Sequence, residues 1–216
     1  MKTIEQKYLE QAMSYAAYRQ LSLDVAEKGE TTGPTQSEAL HHYTVLNNQR
    51  MKRLDKTTKL TDETIQALQN IDQPLTWLVI SEAWCGDAAQ ILPVLNKMAE
   101  QNPLIELKVV LRDENLELMD QFLTNGGRSI PKLIHVNPDN QEVLGDFGPR
   151  PVEVQAKVME AKDVSATLDE EGKKAYFDEV KEWVQRWYLQ DKTISIQKEV
   201  LESLPMTQQV NTDKQS

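Results

Sequence analysis

Six consecutive residues, Leu75-Thr76-Trp77-Leu78-Val79-Ile80, constrain the fold more than any other stretch of the chain. The block is continuously apolar apart from Thr76, partly β-branched and too short for a helix, which is the pattern of a strand covered on both faces. A strand of that kind needs neighbours on either side and layers above and below it. What flanks it supplies them. Gly86 to Glu100 carries Ile91, Leu92, Val94, Leu95 and Met98 at helical spacing, with Pro93 as an interior breaker that should kink the helix. Leu104 to Leu111 reads as a second strand, and a helix from Glu114 to Leu123 ends in Asn125-Gly126-Gly127. Strand, helix, strand, helix is the alternation of a parallel α/β sheet. The pattern then changes. Pro131 to Val136, a turn at Asn137-Pro138-Asp139-Asn140, and Gln141 to Leu144 predict a β-hairpin.

Helices are expected on both sides of this unit. From Thr3 to about Leu23 the residues Ile4, Tyr8, Leu9, Ala12, Tyr15, Ala16 and Tyr18 recur at helical steps, and Glu30-Thr31-Thr32-Gly33-Pro34 breaks the pattern. A second helix should start near Ser37, end near Asp55, and carry Leu40, Tyr43, Leu46 or Asn47, Met51 and Leu54 on one face. Thr61-Asp62-Glu63 has the cap and early acids of a short third helix before Ile65 and Leu68. After Gly145-Asp146-Phe147-Gly148-Pro149 the chain is helical again, through Val152 to Met159, Tyr176 to Tyr188 and Ile194 to Leu204, with Trp183 and Trp187 expected in the core. A polar tail from Met206 is expected to be mobile. The expected division is an N-terminal helical extension over residues 1–60, a central domain over 61–190, and a C-terminal helix with its tail over 191–216.

Composition excludes several functions. Lys and Arg total 24 against 34 Asp and Glu, a net charge of −10, which repels nucleic acid and anionic lipid alike. No apolar run is long enough to span a membrane, and Met1 to Lys7 lacks the apolar region of a signal peptide, so a cytoplasmic protein is expected. The single cysteine, Cys85, allows no internal disulfide and no cysteine-built zinc site. His41-His42 and His135 have no third ligand at convincing spacing, and neither a metal nor a cofactor is predicted. Gly126-Gly127-Arg128 follows a helix instead of opening one, so it reads as a helix end and turn rather than a phosphate loop.

Cys85 lies where the buried strand gives way to the Pro93 helix, in Trp84-Cys85-Gly86-Asp87-Ala88, and Ser129-Ile130-Pro131 stands just before the hairpin. These two motifs, in this order and joined by a βα unit, resemble the active-site turn and the cis-proline loop of the thioredoxin family over roughly Thr61 to Glu182. The resemblance implies a thioredoxin-like α/β fold, a central mixed sheet flanked by helices, with helical extensions at both ends. It implies Cys85 as the reacting thiol, with Trp84, Gly86, Asp87, Ile130 and Pro131 around the substrate. The chain departs from the dithiol members, because the second cysteine position is Ala88 and the acid many carry in the preceding strand is matched by Val79. It looks most like a bacterial group with Trp-Cys-Gly-Asp.

A helix N-terminus favours a thiolate, whereas the Asp87 carboxylate two residues on opposes one. A mixed disulfide on Cys85 has no second sulfur in the chain to resolve it, so an external thiol must act. The expected function is a monothiol thiol-disulfide oxidoreductase whose partners are protein or low-molecular-weight thiols and disulfides. The alternative is a redox-inactive thioredoxin-like binding module. An iron-sulfur carrier resembling monothiol glutaredoxins has little support, since no glutathione-binding pattern follows Pro131. Glu82, three residues before Cys85, reads as a solvated acid at a strand end.

Overall fold

The apolar block becomes the middle of a five-stranded mixed sheet in a computed structural model that describes residues 2–205. In chain order the elements are α1 (Gln6–Glu10), β1 (Met13–Ser14), α2 (Tyr15–Glu27), α3 (Glu38–Thr57), α4 (Asp62–Gln69), β2 (Leu75–Ser81), α5 (Gly86–Ala99), β3 (Ile105–Leu111), α6 (Leu116–Met119), β4 (Lys132–Val136), β5 (Val143–Phe147), α7 (Val152–Ser165), α8 (Glu170–Asp191) and α9 (Ile194–Glu202). Every residue of β2 is buried, because β3 pairs with it in parallel on one side, β4 in antiparallel on the other, and helices cover both faces. The sheet order is β1-β3-β2-β4-β5. Among the described residues no helix is long and apolar enough to cross a membrane.

The register places the site. Val79 pairs with Leu133 and Ile80 with Lys132, so the end of β2 that leads to Cys85 lies beside the start of β4, which follows Pro131. Cys85 is the residue that caps α5, and its sulfur accepts the Ala88 amide at 3.5 Å. Pro93 stands inside α5, where it withdraws one backbone donor from the helix ladder.

Several expectations are corrected. The predicted helix from Thr3 to Leu23 is two helices separated by β1, since Met13 and Ser14 pair antiparallel with Val109 and Lys108 at the sheet edge. Ser14 then caps α2 by accepting the Ala17 amide at 3.2 Å. The predicted helix over 114–123 shrinks to one turn, with tight turns and a Thr124–Gly127 bridge taking the chain onward. The second hairpin strand begins at Val143 rather than Gln141, because Gln141 adopts a positive φ in the turn and Glu142 bridges to Thr3 at the chain start. On α3 the buried face is Thr44, Asn47, Asn48, Met51 and Leu54, rotated from the predicted one toward polar residues, of which Asn47 bonds the Ala83 carbonyl after β2 and Asn48 the Ser22 carbonyl of α2. Trp183 and Trp187 are half-buried at the margin of the core rather than inside it. The expectation for the tail from Met206 falls outside the described residues.

Helix α3 packs on α5 and α2 on α3, while α9 packs against α4 and α5. Helices α7 and α8 pack on one another, and the space between them, α3 and the Cys85 turn is a cleft of about 1000 Å³.

Candidate active site

Cys85 Sγ donates to the Ile130 carbonyl at 3.3 Å, so the two sequence motifs meet at the sulfur itself. The Ile130–Pro131 peptide is cis. Cys85 lines the cleft, but only 6% of its surface is exposed. Burial first, and then the charge of Asp87, push its thiol up to about 12, against the opposing pull of the Ala88 amide and Arg150. At neutral pH the thiol is held almost wholly in its protonated form. The helix N-terminus favours the thiolate, and desolvation outweighs it.

Asp87 is the most heavily held group of the turn. Its carboxylate takes a charged pair from Arg150 Nε at 2.7 Å and the Tyr188 hydroxyl at 3.1 Å, so residues from the loop before α7 and from α8 close over the start of α5. Burial nevertheless raises the Asp87 carboxyl above its ordinary value, with Arg150, Tyr188 and Arg50 pulling it down. Gly86 leaves room for a side chain from above: a Cβ there would lie 3.4 Å from Arg50 Nη1. Trp84 is half-buried, with the Arg112 guanidinium 4.8 Å above its ring. Ile130 and Pro131 are buried, their backbone forming the opposite lip. The structure therefore brings Cys85, Trp84, Gly86, Asp87, Ile130 and Pro131 together around one turn and one loop.

Sequence reasoning misread Glu82 and missed its partners. Glu82 is fully buried, not solvated. One oxygen accepts the Asp113 amide at 2.9 Å, and the other accepts the Thr32 hydroxyl, which in turn accepts the Ala83 amide at 2.9 Å. Asn47 of α3 donates to the Ala83 carbonyl at 2.9 Å, so both polar groups of the Ala83 backbone, two residues before the cysteine, are fixed from the N-terminal segment. No local signal marks these long-range contacts, although an arginine fixed between two prolines, Pro149-Arg150-Pro151, was a visible cue for a held cation.

Removing the Glu82 carboxylate leaves the Asp113 amide and the Thr32 hydroxyl without an acceptor. Glu82→Ala should cost about 3 kcal/mol in urea denaturation, and Glu82→Gln, which keeps an acceptor, less than about 1.5 kcal/mol. Burial raises the Glu82 carboxyl, so the folded state holds this proton to higher pH than the unfolded chain does. That contribution is present below the ordinary carboxylate range and is lost as pH rises through the raised value. Glu82→Gln should remove it.

The remaining candidates fall away from the site. His41 Nε2 bonds the Ala26 carbonyl at 3.0 Å, His42 lies exposed against Tyr43, and His135 is buried in β4. Among the described residues no three His, Cys, Asp or Glu side chains cluster as a metal site.

This chain belongs to the thioredoxin family: the family profile described as Thioredoxin matches residues 33–165. The matched stretch takes in α3, which the sequence reading set outside the resemblance, and stops before α8. Two solved structures share the fold. One is a protein of unknown function from Pseudomonas aeruginosa, 18% identical, with a TM-score of 0.58 over 94% of this chain and 96% of that one. The other is an HIV epitope-scaffold, 20% identical, with a TM-score of 0.52 over 88% and 96% of the two chains. No curated protein matches.

Proposed function

We propose that the protein is a monothiol thiol-disulfide oxidoreductase in which Cys85 reacts with a disulfide held against the Ile130-Pro131 loop. The observation that carries this reading is the position of Cys85 Sγ, which caps α5, touches the Ile130 carbonyl and borders a cleft large enough for a substrate. In the step, Cys85 gives its proton to solvent and its thiolate attacks one sulfur of the substrate. The Cys85–substrate S–S bond forms as the substrate's own S–S bond breaks, and the departing thiolate takes up a proton. A second, external thiolate then attacks the substrate sulfur of the mixed disulfide, forming a new S–S bond as the Cys85–substrate bond breaks, and the departing Cys85 thiolate takes up a proton from solvent. Ala88, buried in the first turn of α5, offers no sulfur for that second attack. A lone thiol of this kind suits a reducing compartment.

A second reading rests on a specific observation. The thiol is buried, hydrogen-bonded as a donor and pushed far up, which is the condition of an inert cysteine in a binding module. Iodoacetamide alkylation across pH reports on this thiol alone, because Cys85 is the single cysteine in the sequence. The midpoint should be strongly alkaline in the wild type. In Asp87→Asn it should fall by about one unit, a tenfold gain in rate at neutral pH, since the like charge is gone and Arg150 is released toward the sulfur. Incubation with a small disulfide should give a Cys85 adduct by mass spectrometry, faster than free cysteine does at equal thiolate concentration. Absence of any adduct from neutral to alkaline pH would transfer the protein to the binding reading.

A further inference from the structure

The cleft beside Cys85 has an electrostatic character opposite to that of the whole chain. The protein carries a net charge of −10, yet the cleft is lined by Arg50, Arg112, Arg128, Arg150, Lys181 and Arg186, against only Asp87 and Glu182. Four of these cations are already paired: Arg112 with Asp113 at 2.7 Å, Arg128 with Asp120 at 2.6 Å, Arg150 with Asp87 at 2.7 Å, and Lys181 with Asp178 at 3.0 Å.

Two are not. Arg50 is half-buried and bonds only the Asn47 amide oxygen, at 3.0 Å, with no carboxylate in ion-pair range among the described residues. Its guanidinium lies over Gly86, one residue from the thiol. Arg186, on α8, makes no hydrogen bond or ion pair among the described residues. Arg50, taken partly out of water, feels the Asp87 charge only from beyond ion-pair range and gains from an incoming anion, while Arg186 is exposed and unpaired and can turn to meet one. The lining also has an apolar part, Phe177, Val180 and Val184 of α8. Mixed walls and a volume near 1000 Å³ are what a small ligand with an ionised group and a longer, less polar body requires.

We infer that this cleft binds a low-molecular-weight thiol carrying a carboxylate or phosphate, with Arg50 and Arg186 holding the anion. The identity of the ligand as a thiol rests on the exchange reading of Cys85, and the anion site does not. Such a ligand is the external thiol that the single-sulfur cycle needs, delivered to the face of the turn where the mixed disulfide stands. Guanidinium groups suit either anion, because their fork matches carboxylate and phosphate oxygens alike.

The test uses Cys85→Ser, in which no covalent chemistry can occur, titrated by calorimetry with reduced glutathione for the carboxylate and coenzyme A for the phosphate. Cysteamine, a thiol with no anionic group, is the comparison. Saturable binding of either anionic thiol, at least tenfold tighter than cysteamine and weakening with added salt, is expected; which of the two binds identifies the anion. Arg186→Gln, at an exposed position, and Arg50→Gln should each weaken binding about tenfold. Lys198→Gln, outside the cleft, should leave it unchanged. Binding no tighter than cysteamine, or unaffected by both arginine variants, overturns the inference. If the anionic thiol binds while the wild-type protein forms no mixed disulfide with its oxidised form, the exchange reading fails and the anion site stands. If the wild type exchanges equally fast with cystamine and with oxidised glutathione and coenzyme A disulfide, the exchange reading stands and the anion site falls.

Discussion

Acidification should cost this protein on the order of 4 kcal/mol through one histidine, and His135→Phe should abolish that loss. His135 is fully buried in β4, its ring 5.6 Å from that of Trp77 in an edge-on contact. Nε2 lies 2.8 Å from Ser203 Oγ, whose own proton goes to the Val200 carbonyl at 2.7 Å, so Nε2 carries the hydrogen and the ring is neutral. Nδ1 has no partner. Protonation there would place a charge and a bare donor among apolar strands, and burial accordingly pushes the His135 pKa down from 6.5 to about 3, with Asp146 offering only a weak opposing pull. The unfolded chain takes the proton first. Above the ordinary histidine pKa the group contributes no difference; as pH falls below about 6.5 the unfolded state gains, and the loss levels off near the folded value of about 3. Urea denaturation of wild type and His135→Phe at pH values on either side of that window should show curves that converge near neutrality and separate by several kcal/mol in acid. Parallel curves throughout would mean that the ring finds water or a partner when charged.

The same histidine illustrates what sequence can and cannot convey. Its strand was legible, because β4 follows a proline and precedes a turn, and its neighbour β2 is an unbroken apolar run that only a doubly covered strand explains. The meeting of Cys85 with Ile130 was legible through resemblance, since two motifs in the right order imply the sheet register that joins them. The break between α1 and α2 was hidden: apolar spacing continues through it, and a strand of two residues has no period to detect. Glu82 looked solvated because acids at strand ends usually are, and the groups that satisfy it lie 50 residues before it and 31 after it. Tyr188 reaches Asp87 across 101 residues, and Arg50 sits over Gly86 from a separate helix. Polar contacts of this sort follow from the packing of finished elements and leave no local pattern behind.

Gly148→Ala is expected to be the most damaging small substitution near the site, at roughly 4 kcal/mol. Gly148 follows β5 with φ of 111°, a conformation that side-chain-bearing residues rarely adopt, and a Cβ there would lie 2.4 Å from the Pro131 carbonyl oxygen and 3.6 Å from the Lys132 Cα. The obstacle is backbone, so no flexible side chain can swing aside. Lys132 tightens the same contact by donating to the Gly148 carbonyl at 2.9 Å and to Asp146 at 3.0 Å. Gly29 provides the control, since its φ is also positive, at 78°, but an added Cβ meets nothing within 4 Å; Gly29→Ala should cost only about 1 kcal/mol. The difference between the two variants in chemical denaturation therefore reports the clash together with the greater backbone strain at φ 111°. It also reaches the thiol. Relief of the clash must move Pro131 away from Gly148, and Ile130, whose carbonyl holds the Cys85 proton, is attached to it. Cys85 should then alkylate faster in Gly148→Ala than in Gly29→Ala under native conditions. Equal stabilities for the two variants would show that the loop and the end of β5 are not in close contact, and equal alkylation rates would show that the Ile130 carbonyl does not restrain the sulfur.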